Sequence, residues 1–107
     1  MDKELENICF GMISNAGEAR SMVFQALDEA QNGNIDTAKE LIEKSRAPMI
    51  EAHKLQMQLL TMEARGESPA ASVLLVHAQD LLMATTTERD LGNFIIELYK
   101  RMPAQDK

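Results

Sequence analysis

His77, Gln79 and Asp80 put an imidazole, a primary amide and a carboxylate within four positions of one another. They do so inside an apolar stretch, Ser72-Val-Leu-Leu-Val-His77-Ala-Gln79-Asp80-Leu-Leu-Met-Ala-Thr-Thr86. Burying such groups without partners costs roughly 1–3 kcal/mol each, so either the fold satisfies them or they stand in a groove where they act. On a helix turning about 100° per residue, His77 and Asp80 lie about 60° apart on one side. A carboxylate at that spacing can orient an imidazole or hold its tautomer, directly or through a symmetry mate. Gln79 points elsewhere on the same helix, where it could reach a neighbouring subunit or a bound anion. If Asp80 meets its own copies at a symmetric interface, like charges converge and cannot all stay ionised. They must be protonated, hydrogen-bonded outward, or gathered around a hard cation such as Mg²⁺ or Ca²⁺, which an all-oxygen cage suits.

Other reactive side chains carry less. His53, in Glu51-Ala-His53-Lys54, reads as a surface or boundary residue of a helix. Cys9 falls on an apolar helix face, where a small buried thiol is inert. Arg20 and Ser21 follow Gly17 closely and could help bind an anion, although a solvated face is the plainer reading. The sequence has no Gly-rich phosphate loop, no Ser/His/Asp spacing pattern and no CxxC, which leaves nucleotide chemistry and zinc unsupported.

Three long helices are expected to position these groups. Leu5, Ile8, Cys9, Met12, Ala16, Ala19, Val23, Ala26, Leu27 and Ala30 repeat at three and four, predicting a helix over 3–31. Gly17 interrupts it, at about 1 kcal/mol relative to Ala, and reads as a close helix–helix approach or a slight bend. Asn32-Gly33 supplies a left-handed stop, with Asn34 as the next N-cap. Ile35, Ala38, Leu41, Ile42, Met49, Ala52, Leu55, Leu59 and Met62 predict a second helix over 35–64, kinked at Pro48 and ended by Gly66. Ser68 and Pro69 then suit an N-cap and first helical position, so a third helix is expected over about 70–101, starting near Pro69 or Ser72 and ended by Pro103.

The third helix is apolar on every side in its first half. Val73, Leu74, Leu81 and Ala84 share the side of His77 and would exclude water there, Leu75 and Leu82 lie opposite, and Val76 and Met83 lie between. Leu91, Phe94, Ile95, Leu98 and Met102 make a one-sided pattern in its second half, with Glu97, Lys100 and Arg101 outside. The architecture read from this is all-α, one domain over residues 1–107, an antiparallel up-down-up three-helix bundle. Two neighbouring helices cannot cover residues 73–84 on all sides, so the missing cover is expected from other copies of the chain, through the third helix.

With 107 residues the chain can build one core and not two. Eight Met against three Phe, one Tyr and no Trp make that core aliphatic and adaptable. The net charge of −6 argues against nucleic acid. No apolar run approaches a membrane span, Met-Asp-Lys-Glu-Leu-Glu is too acidic for a signal peptide, and a single Cys fits a reducing compartment. A cytoplasmic location without direct membrane insertion is therefore expected.

Leu75-Val76-His77-Ala78-Gln79-Asp80, followed by Leu82-Met83, closely resembles the hallmark of the lactose/cellobiose-type enzyme IIA of the bacterial sugar phosphotransferase system. Ile13-Ser-Asn15-Ala16-Gly17-Glu18-Ala19-Arg20-Ser21, Glu51-Ala52-His53-Lys54 and Ile95-Ile96-Glu97-Leu98-Tyr99 support the resemblance along nearly the whole chain. It implies a phosphoryl carrier in which His77 takes a phosphoryl group from phospho-HPr. His77 would then pass it to a cysteine of a IIB component, which phosphorylates an incoming disaccharide of the lactose, cellobiose or chitobiose type. It implies a homotrimer, nine helices in all, with Asp80 of each subunit around a divalent metal on the threefold axis, Mg²⁺ being the leading candidate. The family's frequent second His after the Asp is Leu81 here. No Lys or Arg lies near His77 in sequence, so positive charge for the transition state would come from the donor protein, from a distant segment such as Arg20, or from backbone dipoles. Two other readings of the residues are a non-catalytic helical adaptor, with His77 and Asp80 as interface polarity, and a metal-binding scaffold.

Overall fold

A computed structural model describes residues 2–67 and 69–103. Among these residues every regular element is helical: α1 Lys3–Gln31, α2 Ile35–Lys44, α3 Arg46–Ala64 and α4 Val73–Arg101. Helices α2 and α3 form one arm broken at a single residue, so the chain makes three arms in an up-down-up order. Its extents, 58 × 20 × 18 Å, are those of a slender bundle.

The first arm forms as its periodicity predicts. Leu5, Ile8, Cys9, Met12, Ala16, Ala19, Val23, Ala26 and Ala30 are all buried, one face of a continuous helix. Asp2 caps it, its side chain accepting from the Glu4 amide at 3.2 Å. Gly33, at φ +87°, reverses the chain in the left-handed region that glycine enters without strain. Asn34 stands at the N-cap of α2 without a capping bond from its side chain, which instead donates to Glu29 at 2.8 Å.

At three places the structure is more specific than the expectation. The second arm breaks at Ser45 rather than bending at Pro48. Proline removes the bond to the carbonyl four residues earlier, so the disruption falls on the N-terminal side of the ring. Buried Ser45 donates its hydroxyl to the Ile42 carbonyl, and Arg89 of α4 reaches the same turn, donating to Ser45 Oγ at 2.8 Å and to Ile42 O at 3.3 Å. The last arm starts at Val73, with Ser72 as its cap and the Leu75 amide donating to Ser72 Oγ at 3.1 Å. Residues 69–72 are not helical, and the N-cap expected at Ser68 lies outside the described residues. Gly17 makes no close approach, since a Cβ added there meets nothing within 4 Å. Close contact occurs at Gly11, where a Cβ would lie 2.6 Å from Leu55 Cδ1, and at Gly92, where it would lie 3.3 Å from Val23 Cγ1 and 3.7 Å from Ile42 Cδ1.

The core has two sections. One joins Leu5, Ile8, Met12 and Ala16 of α1 to Met49, Ala52 and Leu59 of α3 and to Ala78 and Leu82 of α4. The other joins Val23, Ala26 and Ala30 to Ala38, Ile42 and Ile96. Helix α4 thus buries a narrow and partly small-residue stripe, Ala78, Leu82, Thr85, Gly92 and Ile96. The side expected to be covered in its second half is bare within the chain: Leu91 is 55% exposed, Phe94 72% and Leu98 63%. The pattern of apolar residues marks a face that packs, but nothing in it says whether the partner is the same chain.

Candidate functional site

His77 stands in the second turn of α4, on the side that faces away from the bundle, and its side chain is exposed. Helical side chains lean toward the N-terminus, which brings the ring over the start of the helix. An open groove of about 580 Å³ lies there, lined by Ala71, Ser72, Val73, Val76, His77 and Asp80. Val73, 88% exposed, and Val76, 52% exposed, give this groove an apolar border. Of the walls expected around His77, Val73 and Ala84 lie on the bare side. Leu74 and Leu81 are partly buried against the core instead, because α4 turns that flank toward its neighbours.

Asp80 is exposed one turn from His77 in the same groove. Among the described residues no ion pair joins the two, so the carboxylate does not orient the imidazole within one chain. Nor do three or more His, Cys, Asp or Glu side chains gather, among the described residues, as a metal-holding group. One chain therefore contributes a single carboxylate to any axial cage. The donor type fits a hard cation, and the remaining ligands would have to come from other copies or from water.

Gln79 faces away from His77. Its Oε1 accepts a hydrogen bond of 2.8 Å from Gln56 Nε2 on α3, and both side chains are part-buried. The amide expected to reach a neighbour or an anion is thus engaged inside the chain. Gln56 is a residue the sequence did not single out, since a polar residue on a long amphipathic helix carries no signal of its partner.

Arg20 is not beside His77. Its guanidinium pairs with Glu88 at 3.1 Å and lies 4.9 Å above the Phe24 ring. Glu88 follows His77 by eleven residues, about 16 Å along the helix at 1.5 Å per residue. Ser21 lines a separate groove with Gly17, Arg20 and Phe24. His53 is exposed on α3, and Cys9 is fully buried, burial pushing its thiol pKa up. That thiol is neutral and sealed, which removes it as a nucleophile. No helix among the described residues is long and apolar enough to cross a membrane.

The fold and the sequence are similar to those of known proteins. Residues 7–100 match the family model of the lactose/cellobiose-specific IIA subunit of the PTS. The lactose-specific EIIA component of Staphylococcus epidermidis is 40% identical over 98 residues, 92% of this chain and 94% of that protein. The crystal structure of the cellobiose-specific enzyme IIA of Bacillus anthracis superimposes with a TM-score of 0.89 at 42% identity, covering 94% of this chain and 92% of that one. A third likeness is to the solution structure of the Escherichia coli chitobiose IIA in complex with HPr, with a TM-score of 0.80 at 37% identity. It covers 96% of this chain and all of that one. With one helical bundle shared from end to end and a family model spanning nearly every described helix, the chain belongs to the lactose/cellobiose-specific IIA subunits of the phosphotransferase system.

Proposed function

We propose that this chain is a phosphoryl carrier in sugar uptake: His77 accepts a phosphoryl group from phospho-HPr and donates it to the cysteine of a IIB component. The observation that carries this reading is the setting of His77, exposed on an open, apolar-bordered groove of a chain in this family. In the first step a neutral imidazole nitrogen attacks phosphorus as the bond to the donor's histidine nitrogen breaks, its electron pair leaving with the donor. In the second, the IIB thiolate attacks phosphorus and the His77 nitrogen departs with the pair. Transfer of this kind asks mainly for alignment and charge compensation. The borders formed by Val73 and Val76 would exclude water once a partner covers the groove. Because Arg20 is remote, charge compensation would come from the partners.

The bare stripe on α4 supports assembly with other copies about that helix, and the family resemblance implies a homotrimer. Asp80 of each copy would then face the axis, where a divalent cation, Mg²⁺ by donor type, would offset the converging carboxylates. The carrier would meet both partners in the cytoplasm. Relatives specific for lactose, cellobiose and chitobiose are all similar to this chain, which agrees with sugar choice residing in the membrane component and not here.

Incubation with phosphoenolpyruvate, enzyme I and HPr tests the proposal. One phosphoryl group per chain is expected, mapped to His77 and absent from His77→Ala. A helical adaptor or metal scaffold would take up no label.

A further inference from the structure

Hydrophobic burial alone does not decide which side of α4 faces the bundle. Val73, Val76, Met83, Leu91, Phe94 and Leu98 all lie exposed. Against them, the inward stripe contains two large aliphatic residues, Leu82 and Ile96, beside Ala78, Thr85 and Gly92, with Leu74, Leu75, Leu81 and Tyr99 only partly buried at its flanks. Since burial of apolar surface stabilises roughly in proportion to its area, the two faces are near a tie. A helix with two comparable apolar faces needs something directional to set its rotation, and hydrogen bonds are directional.

Two part-buried polar contacts supply it. Gln79, near one end of α4, is held by Gln56 of α3 at 2.8 Å. Arg89, ten residues on, is held by Ser45 Oγ at 2.8 Å and Ile42 O at 3.3 Å, at the break between α2 and α3. Turning α4 to bury its other face would break both contacts, leaving the part-buried Gln56 amide and the Ile42–Ser45 turn without their partners on α4. A part-buried polar group left unpaired is unfavourable, which is enough to decide a near tie. It would also carry His77 into the core. We infer that Gln56–Gln79 and Arg89 with the Ile42–Ser45 turn are rotational pins, and that Gln79 and Arg89 are positioning residues that hold His77 on the outward face.

This rests on the phosphoryl-carrier reading for its consequence but not for its geometry, and the test separates the two. The full chain is compared with Gln56→Leu/Arg89→Met, which keeps apolar bulk at both places and removes both pins. Two quantities are read: the ring signals of His77 in the NMR spectrum, and the initial rate of labelling by phospho-HPr. With the pins removed, helix content should persist while His77 gives more than one ring signal, and labelling should fall on the order of tenfold from misplacement of the ring. A charged replacement pin, Gln56→Lys/Gln79→Glu on the Arg89→Met background, should restore one signal and most of the rate. A pinless variant with a single His77 signal at its normal position and an unchanged rate would overturn the inference. Should the pinless variant fail to fold, Gln56→Leu alone is read in the same two ways, with the same outcomes deciding. A wild-type chain with one sharp ring signal but no labelling would end the carrier reading and leave the pins standing.

Discussion

The Arg20 guanidinium sits 3.1 Å from the Glu88 carboxylate and is stacked over Phe24, well up the bundle from the imidazole of His77. Both ends of this pair remain partly in water, the side chains being 49% and 26% exposed, and exposed pairs contribute about 1 kcal/mol or less. Arg20→Ala should therefore label at His77 within about twofold of the normal rate and lose at most about 1 kcal/mol of stability. Initial labelling rates and urea midpoints measure the two. A collapse in labelling at unchanged midpoint would mean that Arg20 does reach the phosphoryl group.

Thr85 is fully buried in α4 and its hydroxyl oxygen has no hydrogen-bond partner among the described residues. Desolvation of that group is uncompensated, so Thr85→Val, which keeps the branched shape, should raise stability by roughly 1 kcal/mol. Denaturant midpoints at constant m-value report it. A clear loss of stability would show that the hydroxyl is in fact satisfied in solution.

Asp80 stands exposed beside His77 with no ion-pair partner among the described residues. If its copies converge on an axis, Asp80→Leu removes both their repulsion and the cation's ligands. The variant should keep its helices while changing in assembled mass or bound metal. Native mass and elemental analysis that both match the unaltered chain would remove Asp80 from the axis.

Burial raises the pKa of Cys9 in the folded chain. The folded state then keeps its proton where the unfolded chain has lost it. The contribution to stability is complete below the ordinary thiol value and declines as pH climbs from that value toward the raised one. Cys9→Ala should flatten this alkaline decline. An identical slope with and without the thiol would assign it to other groups. The same burial predicts slow alkylation of Cys9 until the chain is unfolded.

Much of the fold was legible because it follows from local rules. The buried face of α1 matches its three-and-four repeat at every expected position but Leu27, which is half-buried, and Gly33 and Gly66, at φ +87° and +81°, end helices where their sequence context predicts. Pro48 announced a disturbance but not its place, because the bond it removes belongs to the carbonyl of Lys44 one turn earlier. The close approach expected at Gly17 is absent for a related reason: a glycine in a helix signals that a side chain is missing, not that something fills the space. Of the site, His77 and Asp80 were legible from their chemistry amid apolar neighbours. Gln56 and Arg89 were not, because a polar side chain finds its partner through the tertiary fold. The apolar run of α4 could not reveal which face would be bare, since that depends on contacts made far away in sequence.

Mapping the phosphorylated residue after incubation with phosphoenolpyruvate, enzyme I and HPr tests the central claim most directly. One alkali-stable, acid-labile phosphoryl group on the His77 peptide, lost in a folded His77→Ala chain, is the expected result. Label on another residue, or undiminished label in that variant, would contradict it.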